Sequence, residues 1–314
     1  MKSIPFTPDK DIPDLSGKVI FVTGGNSGLG KETVLQLSKH KPACIFLASR
    51  SVANAEAALK DIKAAVPNPA PISVIELDLA SLNSVHRAAN EFLRQSSELH
   101  LLINNAGIMA CPPGLTKDGY EIQFGTNHIG HALLTKLLLP VLEKTAQTGS
   151  DVRIITLSSN AEQFAPTPTP YNPDELKTEM TSKSTFARYG ISKLANLHHS
   201  RSLSRRYPNI KCISLNPGGV NTGLSRGLYS SYPLIAPVIR VLAPFISKTV
   251  ATGAKNQLWA SVSPDAKSGE FYFPVAMTGK GSQGSNDRAA EDKLWEYTEQ
   301  ELEKFLQGRL RGKE

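Results

Sequence analysis

Short apolar runs rich in β-branched residues alternate along this chain with longer segments whose apolar positions recur every three or four residues. The runs lie at 18–23 (KVIFVT), 43–49 (ACIFLAS), 71–77 (PISVIEL), 100–104 (HLLIN), 152–158 (VRIITLS) and 210–216 (IKCISLN), with 270–275 (EFYFPV) a seventh. Most are apolar continuously and do not alternate with polar residues, as strands covered on both faces must be. Helical periodicity occupies 32–39, 52–65, 84–95, 129–142, 187–206 and 249–260, several segments opening on a Ser, Thr or Asn cap. The alternation predicts an α/β fold: a doubly wound, about seven-stranded parallel sheet with helices on both faces. We expect one domain over 1–314, with a core at about 15–275 and a C-terminal helix and tail at 287–314. Two stretches break the rhythm. Residues 165–184, containing PTPTPYNP, read as an insertion loop, and 224–246 are apolar, aromatic and broken by prolines.

Composition narrows the class. The chain has 314 residues, 40% of them hydrophobic, enough for a large core. Its three cysteines, Cys44, Cys111 and Cys212, form no CxxC and no cluster with histidines, which argues for a reducing compartment and against a metal. The first residues carry charges and Pro5, Pro8 and Pro13 where an apolar leader or membrane span would begin, so a cytoplasmic location is expected. The formal charge of +7 is scattered except at Arg309, Arg311 and Lys313, which read as a solvated tail, and no nucleic-acid motif accompanies it.

The first run leads directly into Thr23-Gly24-Gly25-Asn26-Ser27-Gly28-Leu29-Gly30 and then a helix. Glycines at a strand-to-helix turn let the backbone approach a pyrophosphate, whose charge the unpaired amides and dipole at Gly28 and Leu29 attract. In such sites an acidic residue about twenty positions on binds the ribose hydroxyls. Here the second run ends in Ala48-Ser49-Arg50, and a guanidinium fork there favours a 2′-phosphate, hence NADP(H) over NAD(H). Asp78 is placed either to accept from an adenine amine or to cap the helix beginning near Ser81. Tyr189 and Lys193, four apart in YGISK, share one helix face, where the ammonium and a positive nicotinamide would both favour the phenolate and make Tyr189 a usable acid/base.

Taken in order, TGGNSGLG, NNAG (104–107), FGTN ending at Asn127, LSS ending at Ser159, YGISK and NPGGVNT (216–222) resemble the short-chain dehydrogenase/reductase family over residues 15–275. DGYEIQFGTNHIGHALLTKLLLPVL is similar to the branch of retinol dehydrogenases and WW-domain oxidoreductases. The resemblance implies a Rossmann-type fold and NADP(H)-dependent interconversion of a carbonyl and an alcohol. It implies a catalytic set of Asn127, Ser159, Tyr189 and Lys193, with Ser159 holding the substrate oxygen, Tyr189 moving the proton, Lys193 holding the nicotinamide ribose and Asn127 a relay water. Ser158 stays open as an alternative to Ser159. Cofactor contacts are implied for Gly24, Asn26, Ser27, Gly28, Leu29, Gly30, Arg50, Asp78, Leu79, Asn105, Ala106, Gly107, Tyr189, Lys193, Pro217, Gly218, Val220 and Thr222. The chain departs from the compact family pattern in the thirty residues separating Ser159 from Tyr189.

Substrate identity is set by variable loops. A lid at about 222–247 would bring Leu224, Leu228, Tyr229, Tyr232 and Leu234 together with Phe164 and Phe186 around a lipophilic small molecule. The same stretch could instead form an oligomer interface or rest on a membrane. The family resemblance implies a homodimer or homotetramer. A non-catalytic NADP(H) sensor or scaffold, and non-redox catalysis on the same fold, are the alternatives to an oxidoreductase.

Overall fold

In the computed structural model, residues 3–220, 226–233, 237 and 248–311 are described. Seven parallel strands form one sheet: β1 Val19–Thr23, β2 Cys44–Ser49, β3 Ile72–Glu76, β4 Leu101–Asn104, β5 Arg153–Leu157, β6 Lys211–Leu215 and β7 Phe271–Tyr272. Their order is β3-β2-β1-β4-β5-β6-β7. Both faces are covered, which is why the strands read as unbroken apolar runs. Phe21, Phe46 and Ile154 point into one core layer, and Ile20, Ile45 and Ile155 into the other.

Helices α1 Gly28–Ser38, α2 Val52–Ala65 and α6 Val250–Val262 cover the second layer. The first is covered by α3 Leu82–Gln95, α4 Gly130–Gln147, α5 Thr185–Arg206 and α7 Arg288–Arg311. This is a doubly wound Rossmann-type fold, with its topological switch between β1 and β4, where the strand order reverses and a crevice opens at the carboxyl ends.

Several boundaries differ from expectation. Helix α1 begins at Gly28, four residues earlier than periodicity suggests, because tertiary contacts override glycine's poor propensity. Helix α4 runs through Pro140 to Gln147 and is preceded by a π-helical turn, Gly125–Ile129. Strand β7 is only two residues long, and the insertion at 165–184 contains a helical turn, Pro173–Leu176. Among the described residues no helix is long and apolar enough to cross a membrane.

Candidate active site

The glycine turn follows β1 into the switch crevice. Gly24 has φ +66°, which a side chain rarely tolerates. A Cβ on Gly30 would collide with the Gly24 carbonyl oxygen and lie 2.5 Å from Asn105 Nδ2, so the turn closes only around glycine. Ser27 precedes α1 without a side-chain cap, leaving the first-turn amides of Gly28 and Leu29 facing the crevice unserved by it. Asn26 is half-buried and Ser27 exposed. Opposite, the loop after β4 is laced to the turn: Asn105 Nδ2 donates to the Thr23 carbonyl at 2.8 Å, and the Asn105 and Ala106 amides donate to Thr23 Oγ1, both at 2.9 Å.

Arg50, at the end of β2, is exposed and makes no hydrogen bond or ion pair among the described residues. Asp78 accepts from the Ala80 amide at 3.1 Å and from Lys117 Nζ at 3.2 Å, and Ser81, not Asp78, caps α3. The adjacent Leu79 is buried. After β6, Asn216 Oδ1 accepts from the Gly218 amide at 3.0 Å, beside the half-buried Pro217. Val220 and Leu29 approach each other across Gly253 of α6, tying that loop to the glycine turn. Thr222 lies outside the described residues.

Tyr189 and Lys193 lie one turn apart on α5, each 4% exposed. Lys193 Nζ donates to the Leu157 carbonyl at 3.0 Å and lies 5.7 Å from the Tyr189 ring centre. A Cβ on Gly107 would stand 3.2 Å from Asn127 Oδ1 and 3.5 Å from Lys193 Nζ, so the β4 loop, the π-turn and α5 meet there. Asn127 is fully buried. Its Oδ1 accepts from the Ile108 amide at 2.8 Å, and its Nδ2 donates to the Ile108 carbonyl and to Ser192 Oγ, both at 2.9 Å.

The two serines separate cleanly. Ser158 is buried and its hydroxyl donates to the Lys193 carbonyl at 2.7 Å. Ser159 is partly exposed, its Oγ accepting from the Ala161 amide at 3.1 Å and donating to Asn160 Oδ1 at 3.4 Å, and it stands beside the Tyr189 phenol. Gly190 permits that meeting, since a Cβ there would lie 2.8 Å from the Ala161 carbonyl oxygen and the Ala165 amide.

Burial sets the resting state of the pair. Burial pushes Tyr189 above its ordinary value, opposed by the hydrogen bond with Ser159, and burial alone pushes Lys193 down to about 8. In the resting pair the loss of water dominates: the tyrosine is held neutral, and the lysine ammonium is held by the Leu157 carbonyl.

Two features of the site carried no motif. Arg188, beside Tyr189, is 1% exposed and pairs at 2.8 Å with the fully buried Glu121, while its other nitrogen donates to the Cys111 carbonyl at 2.8 Å. His131 links Thr23 to the Asn127 carbonyl.

At the mouth, Phe164 and Phe186 are 52% and 36% exposed and meet edge to face, ring centres 6.3 Å apart. Helix Arg226–Ser231, carrying the half-buried Leu228 and Tyr229, rests against the loop after Gly107: Ser231 Oγ donates to the Ala110 carbonyl at 2.6 Å, and Tyr232 follows, exposed. Leu224, Leu234 and most of 222–247 lie outside the described residues.

Residues 18–171 match the family model for short chain dehydrogenases. A short-chain dehydrogenase/reductase of Armillaria gallica is 42% identical over 92% of this chain and 91% of its own length. Retinol dehydrogenase 12 of Mus musculus is 35% identical over 90% of this chain and 85% of its own. Among solved structures, an uncharacterized protein from Mycobacterium paratuberculosis superposes with TM-score 0.70 at 31% identity, covering 95% of this chain and 97% of that one. An NADPH-bound carbonyl reductase from chicken fatty liver gives 0.60 at 25% identity, covering 84% and 100%.

Proposed function

Since the chain belongs to the short-chain dehydrogenase/reductase family of oxidoreductases, we propose that it interconverts a carbonyl and an alcohol on a lipophilic small molecule with NADP(H). The observation that carries this reading is the convergence of Tyr189, Lys193, Ser159 and Asn127 beside the turn closed by Gly30. When bound, the dinucleotide supplies or accepts the hydride.

The crevice suits such a group. The Gly24–Gly30 contact leaves no room for a side chain, so the turn stays tight enough for a pyrophosphate to approach the α1 amides, which would offer it donors. Arg50, without a hydrogen-bond or ion-pair partner among the described residues, stands at the strand end where a 2′-phosphate would lie. Gly24, Asn26, Ser27, Gly28 and Leu29 would line the phosphates, Asp78 and Leu79 the adenine, Asn105 to Gly107 the ribose side, and Pro217, Gly218 and Val220 the nicotinamide.

Ser159 holds the substrate oxygen as a preorganised donor. Tyr189, kept neutral by burial, is poised as the acid that protonates the developing alkoxide. Lys193, buried and charged at neutral pH, stabilises the phenolate left behind, and Asn127 fixes the loop that brings Gly107 to it.

The exposed Phe164–Phe186 pair and the seated helix Arg226–Ser231 support a lipophilic substrate, as do relatives named retinol dehydrogenases. Fluorescence titration with NADPH and NADH tests the cofactor reading. NADPH is expected to bind more tightly by about tenfold or more, and Arg50→Ala to erase the difference, since a charge-assisted contact contributes about 1.5–3 kcal/mol. Equal binding of the two by the unaltered protein would overturn the NADP(H) assignment.

A further inference from the structure

His131 stands at the start of α4, one helical turn after Asn127, and its ring is 3% exposed. Its Nδ1 lies 2.9 Å from the Asn127 carbonyl oxygen and its Nε2 lies 2.9 Å from Thr23 Oγ1. Counting donors and acceptors fixes where the protons are. A carbonyl can only accept, so Nδ1 carries the hydrogen and donates to Asn127. Thr23 Oγ1 already accepts from the Asn105 and Ala106 amides, both at 2.9 Å, which fills its lone pairs and leaves its own hydrogen to give. The Ile103 carbonyl is a distant acceptor at 3.4 Å, whereas Nε2 is close. The ring is therefore the neutral Nδ1–H tautomer, accepting from Thr23 on one side and donating to Asn127 on the other. Burial and the Lys193 charge both oppose protonation and push His131 down to about 4.

We infer that His131 is a positioning residue that holds the dinucleotide turn and the catalytic turn in fixed register, touching neither substrate nor cofactor itself. One arm ends on Thr23, which anchors the NNAG loop against the glycine turn. The other ends on the backbone of Asn127, whose side chain clamps Ile108 and hence the chain beside Lys193. A hydride must pass between groups held by these two segments, and displacement of one against the other by an ångström costs rate steeply. The inference rests on the reading of Asn127 and the glycine turn given above.

The two arms can be cut separately. Asparagine places a polar atom near the Nδ1 position only, and glutamine near the Nε2 position only. His131→Asn keeps the Asn127 arm and is expected to weaken NADPH binding by about fivefold to tenfold, with kcat affected less, since each lost hydrogen bond has about that effect. His131→Gln keeps the Thr23 arm and is expected to lower kcat by about tenfold with NADPH affinity affected less. His131→Phe loses both. NADPH affinity is read by fluorescence, independently of turnover, and 15N NMR of the unaltered protein with NADPH reports the tautomer, expected to stay Nδ1–H from about pH 6 to 8. If both single-arm variants lose affinity and kcat in parallel with thermal stability, or if the ring is Nε2–H, the inference is overturned. If the unaltered protein reduces no carbonyl but the NMR and affinity results hold, it is the assigned reaction that fails and the linkage stands.

Discussion

Acidification should unfold this protein through its histidines. His128, His131, His198 and His199 are buried where the π-turn, α4, α5 and α7 pack together. His128 meets His199 edge to face and its Nε2 pairs with Thr298 Oγ1 at 2.9 Å. His199 stacks on Trp295, and His198 bridges Tyr171 Oη and the Gly284 carbonyl. Desolvation pushes His131, His198 and His199 down to about 4 and holds His128 well below the usual imidazole range. The unfolded chain takes up these protons near pH 6.5, whereas the folded chain refuses them, so stability is fully present above pH 6.5 and lost as pH falls toward 4. At pH 5 the loss is about 2 kcal/mol for each of the three at about 4, about 6 kcal/mol together, comparable to the 5–15 kcal/mol that stabilises a typical domain. Urea midpoints measured between about pH 7 and 5 should therefore fall steeply. His199→Phe, which keeps a ring against Trp295, should flatten the slope by about a third of that amount. A midpoint at pH 5 equal to that at pH 7 would refute the claim that these rings stay neutral when folded.

Three further outcomes follow from the site. Ser159→Ala should lower kcat by about a hundredfold with little change in urea midpoint, whereas Ser158→Ala should cost about 0.5–1.5 kcal/mol of stability by removing a buried hydrogen bond to the Lys193 carbonyl; the reverse pattern in kinetics and unfolding would exchange the two assignments. Arg188→Met should destabilise by about 3–5 kcal/mol, because Glu121 is left as an unpaired buried carboxylate, and the double variant with Glu121→Leu should recover part of the loss in chemical denaturation. The rate of carbonyl reduction should fall as pH rises through about 8, where Lys193 loses its charge, and a flat profile to pH 9 would remove the ammonium from the proposed chemistry.

What the sequence made legible was whatever depends on local pattern. Parallel strands covered on both faces leave continuous apolar runs, so six of the seven strands fell within a residue or two of their observed ends. The glycine turn and YGISK are local motifs, and each sits at the crevice the sheet order creates. The resemblance already pointed to Ser159; what the sequence alone does not show is that Ser158 turns into the core, since adjacent residues on an extended segment face opposite ways. The π-turn at Gly125–Ile129 has no periodicity signal of its own. His131 and Thr23 are 108 residues apart, and Arg188 and Glu121 are 67 apart, separations at which side-chain pairing leaves no trace in a single sequence. Spacing placed Lys193 beside Tyr189 but gave no sign that both are buried, which is what sets their resting state.

The most direct test of the account is to incubate the purified protein with NADPH and a graded series of aldehydes and ketones of increasing apolar area, following cofactor absorbance and alcohol product together, beside Tyr189→Phe. Stoichiometric formation of alcohol, faster with greater apolar area and abolished in the variant while NADPH still binds, is the predicted result. Cofactor that binds without any carbonyl being reduced, or a Tyr189→Phe variant as active as the parent, would contradict it.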